Sequence, residues 1–382
     1  MFIDLTDDQR ALQAELRSYF STLVSDDEAA IMRTERHGPT YREVVRRMGK
    51  DGWLGVGWPV EFGGRGFGDV EQQIFANEAM RADVPLPGVT LQTVGPTLQV
   101  YGTDEQKRKF LPAILAGEVH FAIGYSEPDA GTDLAALRTT AVRDGDDYVI
   151  NGQKIFTTGG HDADYIWLAA RTGSADSRHR GISILIVDTT DPGFSWTPII
   201  TCDGAHHVNA TYYNDVRVPA SMLVGEENKG WRLITTQLNH ERVMLGPAGR
   251  VAGIYEQLHA WVRRHDLLDA PDVRHALGEI HATHRLNELL NWQVAARNDA
   301  VDIADASATK VFATERIQRV CRLAEEIVGR HGDPADTDTA DLLRWLDMMA
   351  KRNVVITFGG GVNEVMRELI ATAGLGMPRV PR

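Results

Sequence analysis

The stretch Trp231–Ala252, WRLITTQLNHERVMLGPAGRVA, decides how the rest of the chain is read. At helical spacing Ile234, Leu238, Leu245, Ala248 and Ala252 fall on one face, with Glu241 in the middle of that face. The steps are 4, 3, 4, 3 and 4 residues, the spacing of a helix stripe turned toward a core. A carboxylate there is expensive to keep charged and unpaired, and burial raises its pKa. A general base working near neutral pH needs such a shift. The same placement suits a buried structural glutamate paired with Arg242, and periodicity alone leaves both readings open. Pro247 removes a backbone donor and crowds the carbonyl of Val243, so a kink is expected just after Glu241.

Upstream of this helix the period changes. From about His120 to Val218 the chain reads as strands. Tyr148–Ile150 and Lys154–Thr157 flank Asn151-Gly152, a tight-turn signal. Tyr165–Ala170, Gly181–Val187 and Ala210–Val218 are further strand runs, the last ended by Pro219. Before them, residues 1–118 read as helices. Thr6 with Gln9 forms a capping-box signature ahead of the stripe Leu12, Leu16, Tyr19, Phe20 and Leu23. Helices are also expected over Tyr41–Asp51, Val70–Arg81 and Thr103–Leu115, with Thr103 as N-cap. Downstream, long striped helices over Trp231–Arg264, Pro271–Ala296, Asp305–Arg330, Thr339–Thr357 and Asn363–Ala373 suggest an antiparallel bundle. The expected class is α+β. It comprises an N-terminal helical domain (1–118), a middle antiparallel β domain of barrel or sandwich type (119–228) and a C-terminal four-helix bundle (229–382).

Composition is that of a globular protein, with 382 residues and a formal net charge of −13. That charge argues against nucleic acid or an anionic membrane as partner. Cys202 and Cys321 show neither metal-ligand nor redox-pair spacing and fit a reducing, cytoplasmic compartment. The opening MFIDLTDDQR lacks a basic region followed by an apolar run, so no signal peptide is expected. No apolar run reaches the roughly 18 residues of a membrane helix.

Two further segments suit chemistry. In Phe121–Asp133, FAIGYSEPDAGTD, Ser126 and Thr132 offer hydroxyls, and the backbone near Ala130 and Gly131 offers amides to a phosphate. An ordinary surface loop explains the same residues. Phe358–Val362, FGGGV, permits close backbone approach to a ligand or, equally, makes a hinge. The adjacent His206 and His207 point to opposite faces if they lie on a strand, which favours structural histidines over a metal pair.

Taken together, these segments resemble the acyl-CoA dehydrogenase family along essentially the whole chain. FAIGYSEPDAGTD is similar to its flavin loop and INGQKIFTTGG (Ile150–Gly160) to its second flavin motif. FGGGVNEVMRELIA (Phe358–Ala371) resembles its C-terminal motif, usually of the form YEGTNEIQRNIIA. In that family FAD lies between the β domain and the bundle. A glutamate removes the α-proton of an acyl-CoA while the β-hydrogen leaves as hydride to the flavin. The resemblance implies that Ile123, Tyr125, Ser126, Gly131 and Thr132 line the flavin and the thioester end of the substrate. It implies that Phe156 packs on the flavin ring, with Thr157 and Thr158 beside it and Thr158 hydrogen-bonding near N5. The usual base position is Gly360 here. A branch resembling isovaleryl-CoA dehydrogenase carries its base on the bundle helix, in a pair equivalent to Glu241-Arg242. Glu241 then becomes the catalytic base, Arg242 its partner, and Asn239, Arg242, Gly360 and Gly361 contact substrate, the glycine amides at the thioester carbonyl.

Most members also have R-x-F-G and Q-x-x-G-G-x-G segments that complete the FAD site of a neighbouring subunit. The corresponding stretches here, RRHDLLDAPDVRHALG (Arg263–Gly278) and AEEIVGRHGDP (Ala324–Pro334), lack both. That loss resembles the α2β2 acyl-CoA dehydrogenases of actinobacterial steroid degradation, in which two homologous chains share each site. The resemblance extends to their glutamate-bearing subunit acting in cholesterol catabolism. It implies a steroid CoA thioester with a three-carbon side chain, a homologous partner in a heterotetramer, and an electron-transfer flavoprotein as acceptor. The rival readings are a non-catalytic structural subunit, favoured by Gly360, and a flavin oxidase on the same fold.

Overall fold

A computed structural model describes residues 4–235, 246–296 and 302–379. They form two compact units, Met1–Val24 with Gly68–Leu86 and Glu241–Arg382, and Ser25–Phe67 with Pro87–His240.

The first unit is helical. Thr6 closes the expected capping box on the helix Asp7–Leu23, which buries Leu12, Leu16, Phe20 and Leu23. The helix Asp69–Arg81 buries a continuous run from Gln73 to Ala79 rather than one stripe. Four long helices follow: Gly249–Arg264, Pro271–Ala295, Ile303–His331 and Thr337–Arg352. Their shared core includes Trp261, Ile280, Val320, Ala324 and Leu346. Short Asn363–Leu369 continues as a π turn, Ile370–Gly374. The single helix expected over Trp231–Arg264 is broken. Residues 230–235 are helical, Gly246, Pro247 and Ala248 are not, and the helix restarts at Gly249. Pro247 cannot donate, and the residue before a proline is pushed away from helical geometry, which suits the non-helical Gly246, Pro247 and Ala248; the kink expected just after Glu241 lies outside the described residues.

The second unit combines helices with one eight-stranded sheet. The helix Pro39–Lys50 and the Thr103-capped helix Asp104–Leu115 fall where expected. The strands are β1 (Phe121–Gly124), β2 (Thr140–Asp144), β3 (Asp147–Thr158), β4 (Tyr165–Arg171), β5 (Ile182–Asp188), β6 (Phe194–Ile200), β7 (His206–Pro219) and β8 (Leu223–Val224). The sheet order is β6-β7-β3-β2-β4-β5-β8, with β1 on β4. Pairing is antiparallel except that β1 and the start of β2 run parallel to β4. Tyr148, Ile150, Ile166, Leu168 and Val216 fill its core.

The turn expected at Asn151-Gly152 is elsewhere. β3 runs through those residues, and Gly152, at φ +148°, sits at a shift in its register with β7. A Cβ there would stand 2.5 Å from Thr139 Oγ1. The hairpin closes at Gly145-Asp146, where Gly145 has φ +63° and Asp144 pairs with Asp147. A glycine with positive φ at the first central position is what a two-residue type II′ turn uses.

Candidate active site

The second unit joins the first two motifs. Ile155 N–H donates to the Ser126 carbonyl at 2.8 Å, which sets Ser126 beside the strand that carries Phe156. Tyr125 is anchored at both ends. Its hydroxyl accepts from Trp167 Nε1 at 3.1 Å, and its carbonyl accepts from Lys154 Nζ at 3.1 Å. Ile123 sits on β1 opposite Trp167. Gly131 and Thr132 lie exposed just past the turn that Glu127 and Ala130 close with bonds of 3.0 and 3.1 Å.

Phe156 is the outlier. It has φ +60° at a second register shift between β3 and β7, and its side chain is 61% exposed. Positive φ is strained for an aromatic residue and persists only where the surroundings over-determine it. The irregularity turns Phe156 outward while Lys154 and Thr157 point inward. Thr157 therefore does not join the outward rim. Its hydroxyl is buried 3.2 Å from Thr211 Oγ1, and its carbonyl accepts from Asn209 Nδ2 at 3.1 Å. Thr158 is exposed at the strand end. An outward aromatic face beside the exposed Thr158 suits a flat heteroaromatic ring system.

Two residues not singled out in the sequence hold this rim. Lys154 is fully buried and donates to Glu127 Oε1 at 2.8 Å as well as to Tyr125. Glu127 also accepts from Arg138 N at 2.6 Å and Thr139 N at 2.9 Å. Burial, opposed by Glu127, pulls the ammonium down to about 8, so it stays charged at neutral pH. Burial by itself would raise the Glu127 carboxyl. The Lys154 charge and the bonds from Lys154, Thr139 and Arg138 hold it below the usual carboxylate value. The signal was available, since Tyr148, Ile150 and Lys154 share the inward parity of β3.

Behind Thr158 the chain turns at Gly159, φ +67°, where a Cβ would meet the His37 ring at 2.9 Å. His161 stacks on His206 at 4.0 Å, and buried Asn209 bridges them, with its Nδ2 3.0 Å from His161 Nδ1 and its Oδ1 2.7 Å from His206 Nε2. His207 turns instead to Asp203, at 3.0 Å. Burial first, then neighbouring cations, lowers His37 to about 3 and His161 to about 4. Among the described residues, the one group close enough to share a cation is His265, Asp336 and Asp338. Asp336 already caps a helix through Thr339 N, and Asp338 already pairs with Arg264.

In the first unit the loop Phe358–Val362 has Gly360 at φ +64° and Gly361 at φ +103°. Both are conformations that favour glycine. Glu241, Arg242 and Asn239 lie outside the described residues. The backbone that follows them is clamped by three asparagines. Asn287 and Asn291 donate to the Gly246 carbonyl at 3.2 and 3.0 Å. Ala248 N–H donates to Asn291 Oδ1 at 3.1 Å, and Gly249 N–H to Asn77 Oδ1 at 3.2 Å. Asn287 and Asn291 stand four apart on one helix, the sequence signal for a shared polar face.

Three family models match the chain. They are acyl-CoA dehydrogenase, N-terminal domain, over residues 6–118; middle domain, over 122–216; and C-terminal domain, over 228–375. The acyl-CoA dehydrogenase FadE29 of Mycobacterium tuberculosis (strain ATCC 25618 / H37Rv) is 71% identical over 387 residues, covering 100% of both chains. A chain of the ChsE4-ChsE5 complex from Mycobacterium tuberculosis superposes with a TM-score of 0.92 at 47% identity, covering 100% of both. A chain of the Tcur3481-Tcur3483 steroid ACAD superposes at 0.93 and 48%, again over 100% of both.

Proposed function

Because the chain belongs to the acyl-CoA dehydrogenase family, we propose that it catalyses FAD-dependent α,β-dehydrogenation of an acyl-CoA thioester, as one subunit of a heterotetramer with a homologous chain. The observation that carries this reading is Phe156. An outward-turned aromatic ring beside Thr158, on the strand that Ser126 bonds, offers a face on which a flavin ring can stack. Bound FAD supplies the acceptor for the hydride that leaves the substrate β-carbon. Ile123, Tyr125, Ser126, Gly131, Thr132 and Phe156 bind and orient the flavin and the thioester end, and the Thr158 hydroxyl donates near its reactive nitrogen. Glu241 removes the α-proton, and Arg242 orients or pairs with it. The Gly360 and Gly361 backbone receives the thioester carbonyl.

The substrate we infer is a steroid-CoA with a three-carbon side chain, of cholesterol catabolism. Its support is the likeness to a complex described as a steroid ACAD. The ChsE4-ChsE5 and Tcur3481-Tcur3483 likenesses support a two-chain assembly. An electron-transfer flavoprotein as acceptor and a cytoplasmic location complete the proposal; no described helix is long and apolar enough to cross a membrane.

Glu241→Gln tests the base. Expected is a protein that folds and holds flavin but is not reduced by substrate under anaerobic conditions. Normal reduction would remove Glu241 from the mechanism. Gly360 at the usual base position favours a second reading, a non-catalytic subunit. Under that reading, removing the partner's base would abolish turnover while Glu241→Gln would not.

A further inference from the structure

We propose that Lys310 is a positioning residue of the thioester site, holding the Gly359–Gly361 loop in the conformation that receives the substrate carbonyl. This rests on the acyl-CoA reading above. Lys310 lies on the helix Ile303–His331 and is fully buried. Lysines are almost never fully buried unless their donors are used. Its Nζ donates to the Thr357 carbonyl at 3.2 Å, the Gly361 carbonyl at 2.6 Å and Asn363 Oδ1 at 2.8 Å.

Those acceptors stand before, within and after the glycine run, so one ammonium ties both of its ends. The run needs such a tie. Glycine has the widest choice of backbone conformation, and successive glycines lose the most entropy on ordering. Gly360 at φ +64° and Gly361 at φ +103° have no side chain of their own to hold these values. The lysine does so from outside the loop. A further layer fixes Asn363 in turn. Its Nδ2 donates to Thr314 Oγ1 and to Glu315 Oε1, each at 3.1 Å, and Glu315 is forked by Arg367 at 2.6 and 2.8 Å. Asn363 therefore presents its oxygen to the lysine and has no reason to flip.

The charge does more than hold shape. A charge-assisted bond to the Gly361 carbonyl is stronger than a neutral one and fixes the plane of the peptide that follows the Gly360 and Gly361 amides. A buried cation behind the loop also favours negative charge growing on a thioester oxygen as the α-proton leaves. A lysine that merely filled the core would alter stability but not the polarisation of a bound carbonyl.

The test uses the flavin-loaded full-length protein, assembled with its partner chain where loading requires it. The probe is an α,β-unsaturated acyl-CoA labelled with carbon-13 at the carbonyl, and the readout is the infrared carbonyl stretch. Wild-type protein should lower that frequency on binding. Lys310→Met should lose most of the lowering while keeping its flavin, and substrate reduction of the flavin should slow about 10²-fold with little change in KM. Asn363→Leu keeps the ammonium but removes one acceptor, and should give an intermediate loss. It decides the matter if Lys310→Met does not accumulate. An unchanged carbonyl stretch in either folded variant overturns the proposal, even where stability falls. If wild-type protein binds no acyl-CoA at all, the dehydrogenase reading fails and the positioning role fails with it.

Discussion

Lys154 shows what single residues decide here. From β3 it reaches the preceding loop at two points, the Tyr125 carbonyl and Glu127. Lys154→Met leaves the Glu127 carboxylate buried without its cation, held only by the Arg138 and Thr139 amides, a loss of roughly 3 kcal/mol. Chemical denaturation should show that loss, together with depleted flavin. Adding Glu127→Gln removes the stranded charge while keeping an acceptor for the Arg138 and Thr139 amides, so the double variant should be more stable than the single one. A double variant no better than the single would mean the pair is not coupled. The histidines give a pH prediction. Folded His37 and His161 titrate near 3 and 4, against an ordinary value of 6.5. Between those values the unfolded chain binds more protons, so stability is full above pH 6.5 and falls as pH falls toward 4. Arg36, His120, His161 and His207 face His37, and His206, His207, Asp162 and Asn209 face His161. Thermal melts from pH 7 to pH 5 should show a falling midpoint, and His161→Gln should flatten that slope.

At the scale of an element, the same substitution takes opposite signs on neighbouring helices. Gly249 opens the helix Gly249–Arg264, and a Cβ there would stand 1.9 Å from the Asn77 carbonyl oxygen. Backbone against backbone cannot yield, so Gly249→Ala should destabilise and displace the clamped break. Gly278 lies inside Pro271–Ala295 with nothing within 4 Å of its Cβ position. Gly278→Ala should stabilise by roughly 0.5–1 kcal/mol through helix propensity. Melting both variants side by side checks the packing directly, and equal shifts would contradict it. The break itself follows the same logic. Pro247 removes helix bonds, and Asn77, Asn287 and Asn291 replace them from other helices.

At the scale of the whole molecule the open question is composition. The R-x-F-G and Q-x-x-G-G-x-G segments that the resemblance leads one to expect, as in most members, are absent from Arg263–Gly278 and Ala324–Pro334. The helices there are intact, with Val273, Ala276, Leu277 and Ile280 buried in the bundle core. The helical fold of those stretches does not depend on the missing motifs. The chain expressed alone should hold little flavin, and co-expression with a homologous partner should restore about half a flavin per chain, by the shared-site reading. Close to one flavin per chain in a homotetramer would make this a conventional member of the family.

The sequence by itself determined the class, the coarse order of a helical, a strand-rich and a second helical region, the caps at Thr6 and Thr103, and the motifs that carry the family. These depend on local periodicity and on side chains that bond their own backbone, which neighbours in sequence suffice to set. The tertiary structure alone decided where the hairpin closes, that Phe156 turns outward and Thr157 inward, and that Gly246, Pro247 and Ala248 are held outside any helix by asparagines from elsewhere in the unit. It also decided which polar residues are buried. Lys154 meets Glu127 across 27 residues, and Lys310 meets Asn363 across 53. A charge is tolerable in a core only when a distant partner arrives to bond it, and a periodic pattern contains no record of which partner that is.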